Sequence, residues 1–104
     1  MIGFVLHPEA LKDLEDIWDY IASSGVDAAD RIVEEVYRAI LQLSAFPYQG
    51  HVRLDLTSRP VRFQVVRSLL IVYAPEEHPL LVLAVIDGRR NPRVIAAMLR
   101  GRDI

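Results

Sequence analysis

The sequence predicts an α+β fold: an N-terminal strand, an antiparallel helical hairpin, a three- to four-stranded antiparallel sheet and a short C-terminal helix. Three observations carry this expectation. Apolar residues recur at helical spacing between Pro8 and Pro47. After Gly50 they switch to alternation and short continuous runs. A second helical pattern follows the start signal Asn91-Pro92, a cap residue ahead of a proline in the first helical turn.

Each element follows in order. Ile2, Phe4 and Leu6 alternate as a short strand. Pro8 opens a helix whose positive end suits Glu9 and Asp13, and Leu11, Leu14, Ile17, Trp18 and Ile21 form its apolar stripe to about Ala22. Trp18 is expected in the core, with Tyr20, Asp13 and Asp16 off the stripe. Ser23-Ser24-Gly25 interrupts the pattern. A second helix starts near Asp27, buries Ala29, Ile32, Val33, Val36, Ile40 and Leu43, and stops before Pro47, because a residue preceding proline disfavours helical geometry. Val52, Leu54 and Leu56 alternate with polar residues as a half-buried strand, and Thr57–Pro60 turns the chain. Val61–Val65, Leu69–Ala74 and Leu80–Ile86 then read as a meander. Val94, Ile95, Met98 and Leu99 form the closing helix, with Gly101 placed to end it.

The length fits one domain, residues 1–104. No apolar run approaches a membrane span. The apolar start, Met1–Leu6, lacks the preceding basic segment of a signal peptide, so a cytoplasmic protein is expected. Without cysteine there is no disulfide or thiolate metal site, and His7, His51 and His78 lack ligand spacing, so neither a metal nor a cofactor is expected.

Charge is strongly polarised. The first fifty residues carry nine acidic side chains against Lys12, Arg31 and Arg38, whereas the remainder carries nine arginines against five acids. Such asymmetry points to an anionic partner for one face, and arginine favours planar, bidentate contacts. Arg89 and Arg90, adjacent on a turn, are suited to binding hot spots. One of them is also placed to pair with Glu34 or Glu35 of the second helix. Asp87 is expected to hold the turn by a hydrogen bond or an arginine pair. Off the stripes, Tyr20, Tyr37 and Leu41 are apolar or aromatic surface left for a partner. Arg53 and Arg62 share the polar alternation of the sheet and could line a groove.

The order of these elements and their residues resembles the RelE/ParE superfamily of bacterial toxins from type II toxin–antitoxin pairs. The resemblance covers essentially the whole chain. It rests on Leu11–Ile21, similar to the family's first helix, and on Leu43–Gly50, similar to the leucine–proline–glycine end of its second. Val61-Arg62-Phe63 and Ile71-Val72-Tyr73 resemble its central strands, and Val85–Pro92 its Gly-Arg turn. The ParE-like branch is implied by the long hairpin and by Arg89-Arg90 ahead of a helix. RelE-like nuclease sites usually carry strand lysines or a late histidine or tyrosine. Here Lys12 is the only lysine, and no histidine or tyrosine follows His78. Asp87 also stands where many relatives have histidine, and Asn91 where many have aspartate.

The resemblance implies a toxin that inhibits DNA gyrase by binding and is neutralised by a cognate antitoxin. Arg89, Arg90, Arg93 and Arg100 are then the target contacts, and Tyr20, Tyr37, Leu41, Arg53 and Arg62 the antitoxin contacts. The alternative is a ribosome-dependent mRNA endoribonuclease, with Arg62, Arg89 and Arg90 stabilising phosphate and His51 as the candidate base. A degenerate toxin retaining only antitoxin binding is the third reading.

Overall fold

The computed structural model describes residues 3–102, so Ile2 of the predicted first strand lies outside the described residues. The elements are β1 (Phe4–Leu6), α1 (Pro8–Ala22), α2 (Val26–Ala45), β2 (Arg62–Val66), β3 (Leu69–Ala74), β4 (Leu80–Asp87) and α3 (Pro92–Gly101). Helix boundaries follow local chemistry. Pro8 stands in the first turn of α1, and His7 Nδ1 accepts the Glu9 amide at 3.1 Å. Phe46 caps α2 one residue before Pro47.

The sheet order is β1-β4-β3-β2. β2, β3 and β4 form the expected antiparallel meander, but β1 joins β4 in parallel, so the sheet is mixed. Alternation is the same for either strand direction; the orientation is set by where the helical hairpin returns the chain. A register shift opposite Val72 and Tyr73 leaves Leu83 as an extra residue in β4. Ahead of it, Leu80 and Val82 pack under the hairpin with Val85. Leu83, Ala84 and Ile86 pack on the other face with Ile95 and Leu99 of α3. The hairpin and α3 therefore cover opposite faces of one sheet, and the two apolar clusters lie on either side of it.

The predicted strand at Val52–Leu56 does not form. Only His51 pairs, with Phe63, and the chain then turns, Leu56 and Thr57 donating to Arg53 O. Continued in that register, Leu54 would face Pro60, which has no N–H to offer. Leu56 is buried, but Val52 is exposed and Leu54 is 74% exposed. Trp18 is half-buried rather than core; its indole Nε1 donates to Asp30 at 2.8 Å and braces the hairpin. Leu11, placed on the apolar stripe, is also exposed, and Ala10 is buried in its stead. Gly101 is the last residue of α3 rather than the break after it, and Arg102 leaves in an extended conformation. Among the described residues no helix is long and apolar enough to cross a membrane.

Candidate functional site

Two ends of the sheet carry the residues singled out by sequence. At the first, β4 runs into the turn Gly88-Arg89-Arg90. The Gly88 amide donates to Ser68 O at 2.7 Å, which ties this turn to the β2–β3 connection. A Cβ at Gly88 would stand 3.0 Å from Leu70 and 3.1 Å from Ser68 O, so glycine permits the close approach. Asp87 then organises the turn: one carboxylate oxygen accepts the Arg89 amide at 3.0 Å and Nε at 3.1 Å, and the other accepts Nη2 at 3.1 Å. Asn91 caps α3 by accepting the Arg93 amide at 2.8 Å.

The hydrogen bonds from Arg89, side chain first and backbone second, hold the Asp87 carboxyl below the usual range. A carboxyl depressed in the folded state contributes stability above its unfolded pKa and loses it as pH falls through the folded value. The Arg89 amide resonance should therefore stay constant across neutral pH and move only below about pH 4. A midpoint near neutrality would contradict this geometry.

A cavity of about 410 Å³ opens beside this turn, lined by Tyr20, Ile21, Ile32 and Leu69 with Arg89 and Arg90. The structure thus brings together Tyr20, which is 81% exposed, and the arginine pair. Neither arginine pairs with α2. Glu34 binds Arg38 within its own helix. Glu35 is held by Arg67 at 2.7 Å, which lowers its pKa. Arg67 sits at the tip of the β2–β3 connection with φ of 56°, a left-handed backbone uncommon for a side-chain-bearing residue. Arg90, Arg93 and Arg100 are exposed and have no ion-pair partner among the described residues.

The other end holds His51 and Arg62. The Arg62 guanidinium donates to Gly50 O at 2.8 Å and to Tyr48 O at 3.4 Å, and lies 5.1 Å over the Tyr48 ring. Arg53 is not in a strand; it forms a two-point pair with Asp55 at 2.9 and 2.8 Å. Arg62 stands level with Tyr73 and, through it, Val82, whereas Asp87 stands level with Leu69 and Val66. The four positions from Arg62 to Val66 separate the two levels by about 13 Å. The set His51, Arg62, Arg89 and Arg90 is therefore split between opposite ends of the sheet, so these side chains do not converge on one phosphate.

Of the remaining predicted contacts, Leu41 is 57% exposed on α2. Tyr37 is half-buried, its ring 6.1 Å from that of Phe4. Sequence reasoning missed two polar centres. Tyr73 is fully buried, donates to Pro47 O at 2.7 Å and accepts the Gly50 amide at 2.9 Å. Burial pushes its phenol pKa up, so it stays protonated to donate. Asp13, grouped with the surface residues of α1, is instead clamped by Arg102, with Nη1 and Nη2 each 2.7 Å from a carboxylate oxygen. It also accepts the Val85 amide at 2.9 Å. A signal existed: Asp13 lies three residues after buried Ala10 and beside buried Leu14, where a charge needs a partner. The bond to Asp13 raises the Arg102 pKa above its ordinary value.

Comparison with known proteins places this geometry. The family model described as ParE toxin of type II toxin–antitoxin system, parDE, matches residues 4–92. Among solved structures the chain is similar to the chromosomal ParDE TA system from P. aeruginosa, with a TM-score of 0.68 and 19% identity over 84% of this chain and 96% of that one. No curated protein matches the chain. The family match spans β1, the hairpin, the meander and the Asp87–Arg90 turn, and ends at Pro92, the first residue of α3. The chain belongs to the ParE toxin family of type II toxin–antitoxin systems.

Proposed function

We propose that this toxin inhibits DNA gyrase by binding it, without bond chemistry of its own, and that a cognate antitoxin neutralises it. The observation that carries the reading is a set of exposed arginines on the Asp87–Arg90 turn and along α3. Arg89, Arg90, Arg93 and Arg100 project from a turn and helix whose backbone is held by Asp87, Ser68 and Asn91. Asp87 alone pairs with a member of that set among the described residues. Preorganised arginines on rigid elements favour a large acidic or phosphate-bearing partner surface. The split between His51 with Arg62 and Arg89 with Arg90 supports binding over RNA cleavage.

For the antitoxin, the hairpin and the edge of β2 beyond its His51–Phe63 bridge supply the complementary surface. Tyr20 and Leu41 are exposed apolar anchors on the hairpin. Val65 is exposed on β2, the outer strand, so an extended antitoxin segment can add to the sheet there. Tyr37, Arg53 and Arg62 contribute less to this contact, because each is already engaged within the chain.

The test is plasmid supercoiling by purified gyrase with increasing toxin. Inhibition is expected, and Arg90→Ala with Arg93→Ala should weaken it roughly ten- to a hundredfold while thermal stability stays unchanged. Equal inhibition by the double variant, or none by the unaltered chain, would sink the gyrase assignment.

A further inference from the structure

Six ion pairs occur among the described residues, and five are open to solvent. Asp13–Arg102 differs: its side chains are 14% and 15% exposed, and the residues are 89 apart in sequence. Its position explains its shielding. β1 is three residues long and meets β4 only as far as Val82, whose carbonyl accepts the His7 amide. Beyond that point no strand among the described residues lies beside this edge of β4, and Asp13 of α1 takes the Val85 amide in place of one. Arg102 arrives from the opposite face, at the end of α3, and closes on the same carboxylate. One carboxylate therefore joins hairpin, sheet edge and C-terminal helix.

The consequence falls on α3. Ten residues are too few for a stable isolated helix, so α3 depends on docking. Its first turn is held by Asn91, Pro92 and the Asp87 turn. Its middle is held by Ile95, Ala96 and Leu99. Among the described residues, the two hydrogen bonds from the Arg102 guanidinium to Asp13 are the side-chain hydrogen bonds that hold its C-terminal end. Arg93 and Arg100 lie at the two ends of the helix so fixed.

We infer that the Asp13–Arg102 pair is a latch that sets the pose of α3, making Arg102 a positioning residue for Arg93 and Arg100 in target binding. The target role rests on the gyrase reading above; the latch itself does not. Shielded, two-point geometry holds an orientation that an exposed ion pair cannot. Lysine at 102 would keep the charge and lose the fork, so it restores the pose only in part.

The experiment combines amide hydrogen exchange with gyrase supercoiling on the full chain, using Arg102→Ala, Arg102→Lys and the double variant Arg93→Ala/Arg100→Ala. In Arg102→Ala the Ile95–Leu99 amides should exchange at least about tenfold faster while β3 amides keep their protection. Its half-inhibitory concentration should rise by at least about tenfold, and Arg102→Lys should recover part of both changes. The double variant should lose inhibition with α3 exchange unaltered. Unchanged α3 exchange in Arg102→Ala would overturn the latch. Faster exchange with undiminished inhibition would overturn the positioning role. If the unaltered chain fails to inhibit gyrase, the gyrase reading and the positioning role fall together, and exchange alone still decides the latch.

Discussion

Gly50→Ala should destabilise the fold by about 3 kcal/mol, from steric overlap and the disturbed hydrogen bonds beneath it. An added Cβ would stand 2.5 Å from the Tyr73 hydroxyl and 2.9 Å from Phe63 O. Neither neighbour can give way readily. Tyr73 is fully buried and its hydroxyl is held from both sides, by Pro47 O and the Gly50 amide. Phe63 O already accepts the His51 amide at 2.8 Å. For a domain of this size the melting temperature should fall by on the order of 15 °C. Tyr73→Phe should cost about 2 kcal/mol, because it strands the buried Gly50 amide and Pro47 carbonyl. Since both changes damage one contact, the double variant should be less destabilised than their sum. Thermal melts of the three variants check this, and strict additivity would mean that the hydroxyl does not clamp the loop.

Asp13→Ala should cost about 3 kcal/mol, at the low end of the range for removing one partner of a buried ion pair, since Arg102 keeps some solvent. The loss is twofold, because both the Arg102 guanidinium and the Val85 amide are left without an acceptor. Arg102→Ala removes only one of those partners and leaves Asp13 bonded to Val85. The two substitutions should therefore be unequal, with Asp13 the more costly by about 1 kcal/mol or more. Asp13→Asn, which keeps an acceptor for Val85, should fall between wild type and alanine. Chemical denaturation of these variants reads the order directly; equal costs for Asp13→Ala and Arg102→Ala would show that the Val85 contact contributes nothing.

Much of this fold was legible because its boundaries are local. Pro8, Pro47 and Asn91-Pro92 mark helix ends through backbone chemistry that tertiary context does not override. β3 and β4 announce themselves as apolar runs buried on both faces. The failures have physical causes of another kind. Alternation at Val52–Leu56 describes a surface loop as well as a strand, and the missing N–H at Pro60 decides between them only once register is known. Strand direction at β1 depends on where two helices deliver the chain. Of the site, the Asp87 turn and its arginines could be read from adjacent residues. Asp13 with Arg102, Arg67 with Glu35 and Tyr73 with Gly50 join residues 89, 32 and 23 positions apart, and no local pattern specifies such pairings.

The proposed target of the arginines on the Asp87–Arg90 turn and α3 is gyrase rather than messenger RNA. Inducing the chain alone in a bacterial host, with DNA and protein synthesis followed separately by pulse labelling, tests it most directly. DNA synthesis should fall first while translation continues, and Arg90→Ala with Arg93→Ala should delay that fall. An immediate arrest of translation with DNA synthesis initially intact would contradict the claim.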